Sequence, residues 1–314
     1  MKNFWLHLKP PIIGLAPMAG YTDSAFRLLC RESGADVVYS EMISVDGLCH
    51  HNQKTLAMLK FNSKECPLVF QLFGTDPQKF ATATKIIHKI ITNYELPITS
   101  YVGIDINFGC PAKKVAKSGA GAALMNELDK SYEIIKAVCN HSHFPVSIKI
   151  RAGVKKISAL EFIEKVKDLP WTTVMIHGRT LKQGFIGDID CQMIKEIKKL
   201  LPDKIVLANG GINDLPEAQK ILRETKTDGL GLARGAIGNP WLFEEIKRNA
   251  AKIITASARH QIILRHAKLF LKDNPSLVPL RKHLVHYFKG QKNASTLRQQ
   301  IIKAETLAEL KKIL

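Results

Sequence analysis

A (β/α)₈ barrel followed by a small basic helical bundle is the fold that this sequence predicts, and three observations carry it. Eight short apolar, β-rich runs alternate with amphipathic helical stretches over about 240 residues, the usual size of a closed parallel barrel. Each run ends in a hydrogen-bonding side chain or a backbone shaped to approach a ligand. The runs then stop, and residues 251–314 carry 13 Lys and Arg against 3 Asp and Glu, a net +10. The expected division is 1–245 for the barrel and 246–314 for the bundle. A doubly wound open sheet is the alternative, but it seldom needs eight evenly spaced strands. No Gly-x-Gly-x-x-Gly follows the first run, which argues against a Rossmann fold.

The predicted strands are 12–15, 37–40, 68–72, 103–107, 146–150, 173–177, 205–209 and 229–232. Helical patterns cover 24–33, 77–92, 129–140, 159–167, 189–200 and 216–224, and in the tail 258–272, 280–288, 296–302 and 307–313. In a barrel the C-terminal ends of all strands converge on one mouth. Read in order, those ends are Ala16-Pro17-Met18-Ala19-Gly20, Glu41, Gln71, Asn107 with Cys110, Lys149, His177, Asn209-Gly210-Gly211 and Ala233-Arg234-Gly235. Any one of these has a packing explanation: Lys149 as a rim charge, His177 as a satisfied core imidazole, Gln71 as a cap. Eight together describe a binding site.

The fourth end holds the most informative segment, Asn107-Phe108-Gly109-Cys110-Pro111-Ala112-Lys113-Lys114-Val115. Gly109 permits a sharp turn, and Pro111 fixes φ and withholds an N–H, so the strand cannot continue. A thiol on such a turn faces a cleft. Free cysteines are otherwise usually small buried hydrophobes, and Cys30, Cys49, Cys66, Cys139 and Cys191 read as such or as incidental surface thiols. The turns Asn209-Gly210-Gly211 and Arg234-Gly235 follow the last two strands, where barrel enzymes hold phosphate on bare N–H groups and a guanidinium. Lys149 and His177, on adjacent strands, offer donors toward the barrel centre. The combination suits a mononucleotide flavin, with cations at the ring edge that becomes anionic on reduction.

Bulk properties narrow the class. With 46% hydrophobic and 24% charged residues among 314, the chain has the balance of a soluble globular protein. No stretch approaches a membrane span and residues 1–11 lack an apolar signal core, so no membrane partner is expected. Six cysteines without Cys-x-x-Cys suggest neither disulfides nor structural zinc, and a reducing cytoplasm is the expected location. No metal is expected, since no His-x-x-x-His or carboxylate cluster occurs at the strand ends. The net charge of +18, concentrated in the tail, points to a polyanion, although charge alone does not separate RNA, DNA and anionic lipid.

These residues resemble the tRNA-dihydrouridine synthase family, most closely its bacterial B-type branch. The likeness rests on Leu15-Ala16-Pro17-Met18-Ala19-Gly20-Tyr21-Thr22-Asp23 with Phe26-Arg27, Gln71-Leu72-Phe73-Gly74, and Asp105-Ile106-Asn107-Phe108-Gly109-Cys110-Pro111. It continues through Lys149-Ile150-Arg151, His177-Gly178-Arg179-Thr180, Asn209-Gly210-Gly211-Ile212, Arg234-Gly235-Ala236, Asn239-Pro240-Trp241, Arg281-Lys282-His283 and Tyr287. The resemblance implies FMN-dependent reduction of the uridine C5–C6 bond in tRNA, with NADPH as electron donor and no obligate protein partner. Pro17, Met18 and Ala19 would line the flavin with backbone groups. Gln71 would bond the ring edge, Lys149 its N1/O2 side and His177 the ring or its side chain. Asn209, Gly210, Gly211, Ala233 and Arg234 would hold the phosphate.

Hydride would pass to C6 of the uracil and Cys110 would give a proton to C5 from the opposite face. A thiol near the ordinary pKa of about 8.5 is mostly protonated at neutral pH, as a donor requires. Asn107 and Arg179 are then candidate uracil and ribose-phosphate contacts. Lys113 and Lys114 are expected to face RNA phosphate, and Arg281 and Lys282 to grip the backbone around an extruded base. Tyr287 is either a stacking ring or a core anchor. Three departures from the family pattern stand out: Phe185 where a tyrosine is usual, no aromatic near Cys191, and a Gly in Asn209-Gly210-Gly211 where many B-type members have Asp. The competing functions are an FMN barrel reductase of a free pyrimidine, of dihydroorotate-dehydrogenase type, and a non-catalytic tRNA chaperone.

Overall fold

The eight predicted runs form one closed parallel barrel in the computed structural model, which describes residues 3–93 and 98–314. The strands are Ile12–Leu15, Val37–Ser44, Leu68–Phe73, Val102–Asn107, Val146–Arg151, Thr173–His177, Ile205–Asn209 and Gly229–Leu232. Each pairs with its neighbours in chain order, and the first closes on the last through Ile12 opposite Gly229 to Leu15 opposite Leu232. Nearly every strand residue is buried, as expected of strands covered on both faces.

The second strand departs from expectation. It runs to Ser44 instead of stopping at 40, with a register shift between Tyr39 and Met42. That irregularity re-aims the strand end, as bulges do. Met42 therefore faces the mouth, while Glu41 accepts a hydrogen bond from the Gly20 amide.

The outer helices begin where the sequence offers caps. Asp23, Asp76, Ser158, Asp190 and Asp214 each accept a backbone N–H at the start of the helix that follows. A 3₁₀ turn, Phe4–His7, sets Phe4 and Trp5 under the N-terminal end of the barrel, where they pack with Ile12, Val37, Tyr39 and Val69. That plug is apolar. The polar strand termini gather at the opposite end.

Helices Ala256–Phe270, Arg281–Leu284, Ala294–Ile301 and Leu307–Ile313 form the tail. It docks on the helix Ser24–Glu32: the Phe26 ring lies 5.6 Å from that of His266 and 4.7 Å from that of His283, and Arg265 pairs with Glu32. Burying Phe26 is worth roughly 1.5–3 kcal/mol, and the exposed ion pair well under that. The helix Leu242–Arg248 spans the expected 245/246 division and ends on left-handed Asn249. Among the described residues no helix is long and apolar enough to cross a membrane.

Candidate active site

Gly109 does not make the thiol turn by a left-handed conformation. Asn107 makes it. Its Oδ1 accepts from the amides of Gly109 at 3.0 Å and Cys110 at 2.9 Å, folding the chain as Asn side chains do in turns. Its Nδ2 donates to Gln71 Oε1 at 2.9 Å, Gln71 Nε2 donates to Asp105 Oδ2 at 2.7 Å, and Ser147 Oγ donates to Asp105 Oδ1 at 2.6 Å. Burial raises the Asp105 pKa to about 6, opposed by the Ser147 and Gln71 bonds and by Lys149. Cys110 thus stands on a turn braced through three strands. Gln71 keeps only one free N–H for a ligand.

The thiol opens on a cavity of about 540 Å³ at the C-terminal mouth. Pro17, Met18, Ala19, Gln71, Asn107, Cys110, Lys149, His177, Arg179, Asn209, Gly210, Gly211, Ala233 and Arg234 all line it, so the barrel brings these site candidates together. Arg151, Phe185 and His286 are among the further lining residues that have no site role in the sequence reading. A signal exists for Arg151: it lies two positions past Lys149, on the same face of one strand.

Charge is the decisive property of this cavity. Lys149, Arg151, Arg179 and Arg234 line it, and among the described residues no Asp or Glu does. Lys149 Nζ donates to Asn209 Oδ1 at 3.2 Å, and Asn209 Nδ2 donates to the Gly231 carbonyl at 2.7 Å. Burial, with Arg151 beside it, lowers the Lys149 pKa to about 8. Burial and the surrounding Lys149, Arg151, Arg179 and Arg234 push His177 down to about 2. His177 is therefore a neutral imidazole, and the positive charge beside it comes from its neighbours. The His177 Nε2 is buried without a hydrogen-bond partner among the described residues. Beside it the main chain is bare: Gly210 at φ +103 leaves no room for a Cβ, which would lie 2.6 Å from the His177 ring. A buried polar atom left unpaired is costly unless a ligand meets it.

Comparison with known proteins identifies the family. The sequence pattern of the family described as Dihydrouridine synthase (Dus) matches residues 14–314. The chain belongs to the dihydrouridine synthase family. A protein of Aquifex aeolicus named "Probable tRNA-dihydrouridine synthase" is 33% identical over 98% of this chain and 96% of its own length. One of the same name from Helicobacter pylori (strain ATCC 700392 / 26695) is 34% identical over 95% and 88%, and "tRNA-dihydrouridine synthase B" of Xanthomonas axonopodis pv. citri is 33% identical over 94% and 89%. Among solved structures, histamine dehydrogenase from Rhizobium sp. 4-9 superposes with a TM-score of 0.55 at 15% identity, over 82% of this chain and 49% of that one, a likeness of fold. As a dihydrouridine synthase family member the protein is an oxidoreductase.

The residues expected to meet RNA divide in this family member. Lys113 and Lys114 are exposed at the start of the helix Lys113–Lys117, directly after the thiol turn and outside the cavity lining. Lys282 is exposed, with Nζ 5.4 Å from the centroid of the cavity residue Tyr21. Arg281 is spent: its guanidinium donates to the carbonyls of Ala304 and Lys303 and pairs with Glu305, tying the helix Arg281–Leu284 to the segment before the last helix. Tyr287 is fully buried with its hydroxyl 3.0 Å from His266 Nδ1, which overturns the stacking reading. The alternation of charge and aromatics in 281–289 does not reveal this, because the partner histidine lies 21 residues away on another helix. Among the described residues no group of three or more His, Cys, Asp or Glu could hold a metal ion.

Proposed function

We propose that this protein reduces the C5–C6 bond of uridines in tRNA, in the cytoplasm, using FMN and NADPH, with Cys110 as the proton donor. One observation carries the reading: a cavity ringed by four cations, with no carboxylate among its described lining residues, opens beside a braced thiol. The residues fit a mononucleotide flavin. The bare backbone at Gly210 and Gly211 with Arg234 suits a phosphate, the unpartnered His177 Nε2 suits a polar atom of the cofactor, and Lys149 suits the ring edge that gains negative charge. When bound and reduced by NADPH, FMN supplies the hydride that C6 accepts.

The chain's own work is to hold the uracil and deliver a proton. As C6 gains hydride, C5 takes the proton from the Cys110 Sγ, so the double bond gains both atoms and a thiolate remains. Asn107 holds the donor turn in place. Lys149 stays charged below pH 8 and offsets the developing negative charge. Arg179 supports the ribose-phosphate of the extruded nucleotide, while Lys113, Lys114 and Lys282 supply exposed charge beside the mouth for flanking phosphates. Residues 246–314 act as the RNA-binding tail.

Cys110→Ala tests the assignment. Dihydrouridine formation should fall at least about a hundredfold, while flavin stays bound and is reduced by NADPH at the normal rate. Retained tRNA reduction sinks the proton-donor role. Steep salt dependence of tRNA binding, with no turnover of orotate, separates this function from reduction of a free pyrimidine.

A further inference from the structure

Arg151 ends the fifth strand, is 1% exposed and has no carboxylate partner among the described residues. Its guanidinium serves main-chain carbonyls on both sides of the mouth. Nε donates to Gly109 O at 2.8 Å, the carbonyl directly before Cys110. Nη1 donates to Thr180 O at 3.1 Å and Gly184 O at 3.0 Å, in the loop after the sixth strand. Three of its five donors are thereby committed. The loop is anchored a second time where Arg179 Nε donates to Gly187 O at 2.7 Å. Between those anchors the Phe185 ring lies 4.4 Å from the Arg234 guanidinium and 5.7 Å from that of Arg151. Phe185 is 51% exposed and Ile186 82%, so this segment stands over the cavity with little apolar packing of its own.

We propose that Arg151 is a positioning residue that ties the Cys110 turn to the loop 180–187, so that the seating of Phe185 over the mouth sets where the thiol stands. A buried guanidinium costs too much desolvation to be kept for packing alone. Its bonds go to the two segments that must agree in position when a base enters: the one carrying the thiol, and the one placing an aromatic ring at the entrance. Asn107 braces the turn from beneath, and Arg151 links it across. The inference rests on the proposed role of Cys110, but its first readout does not.

That readout is amide hydrogen exchange in the flavin-loaded protein without tRNA, because the Gly109 and Cys110 amides are hydrogen-bonded reporters of the turn. Arg151→Met should raise exchange at 109–110 and at 180–187 together, by about tenfold, with the other strands unchanged. Single-turnover uridine reduction at saturating tRNA should fall by a similar factor, beyond any change in flavin reduction by NADPH measured in the same variant, and Arg151→Lys should recover part of the loss. Phe185→Ala, which alters no atom of the turn, should also raise exchange at 109–110, and this effect should vanish in the Arg151→Met background. Unchanged exchange with only a raised KM for tRNA would make Arg151 a direct substrate ligand and overturn the linkage. Exchange raised throughout the barrel would reduce it to a stability effect. If Cys110→Ala retains uridine reduction, the proton-donor role proposed for Cys110 fails while the exchange result stands on its own.

Discussion

Gly210→Ala probes the proposed cofactor site through one methyl group. At φ +103 the new Cβ would lie 2.6 Å from His177 Cδ2, 2.9 Å from His177 Nε2 and 3.0 Å from an Ile189 methyl. Two costs follow, and they fall on different states. Backbone strain at this φ weighs on the fold with or without ligand, about 1–3 kcal/mol. The overlap with His177 is relieved in the flavin-free protein, because the ring can swing into the cavity. FMN would occupy that space. Binding then forces the ring off its rotamer, about 0.5–1.5 kcal/mol, and loses the hydrogen bond to Nε2, about as much again.

The sum, centred near 2 kcal/mol, corresponds to roughly thirtyfold weaker FMN. Flavin fluorescence titration of the flavin-free variant reads the affinity, and thermal unfolding reads the strain. Gly290→Ala is the control: it has a positive φ of +77, open space around it and a position in the tail. It should cost stability without weakening FMN. An FMN affinity for Gly210→Ala within about threefold of the parent would show that His177 and its neighbouring backbone do not face the cofactor.

Lys149 gives a pH signature with a definite sign. Its pKa falls from 10.5 to about 8 on burial, so between those values the unfolded chain binds more protons than the folded one. Stability of the flavin-free protein should therefore rise over pH 8 to 10.5, by about 3 kcal/mol, and Lys149→Met should abolish the rise. FMN affinity should move the other way and weaken above pH 8, as the cation is lost. Tyr287→Phe should cost about 1–3 kcal/mol in unfolding experiments, by leaving His266 Nδ1 unpaired, with tRNA affinity unchanged. Lys282→Gln and the pair Lys113→Gln with Lys114→Gln should each lower the salt slope of tRNA binding, by about 1 for each phosphate no longer neutralised. Arg281→Gln should lower the melting temperature of the tail and leave that slope alone, since its guanidinium is already engaged.

Much of the site is legible in the sequence, because the signals that encode it are local. Strands 12–15, 173–177, 205–209 and 229–232 match their expected bounds, and each is bracketed by turn chemistry that ends it. The length of the second strand is not legible, because a register shift is a property of the pair and not of the segment. Nor does the sequence distinguish Gly109 from Asn107 as the source of the bend, since both residue types are common in turns and only the Asn107 hydrogen bonds separate them. Arg281 and Tyr287 look like RNA contacts beside their neighbours in sequence, whereas partners 21 to 24 residues away decide their roles.

The sequence by itself determined that the strand ends would meet at one mouth, that one thiol would stand among them, and that positive charge would gather in the tail. Periodicity, turn residues and composition carry that information within a few positions along the chain. Only the tertiary structure decided which of those groups remain free. A donor or a ring has few bonds to give, and whether a ligand can claim them depends on what the fold has already brought within about 3 Å.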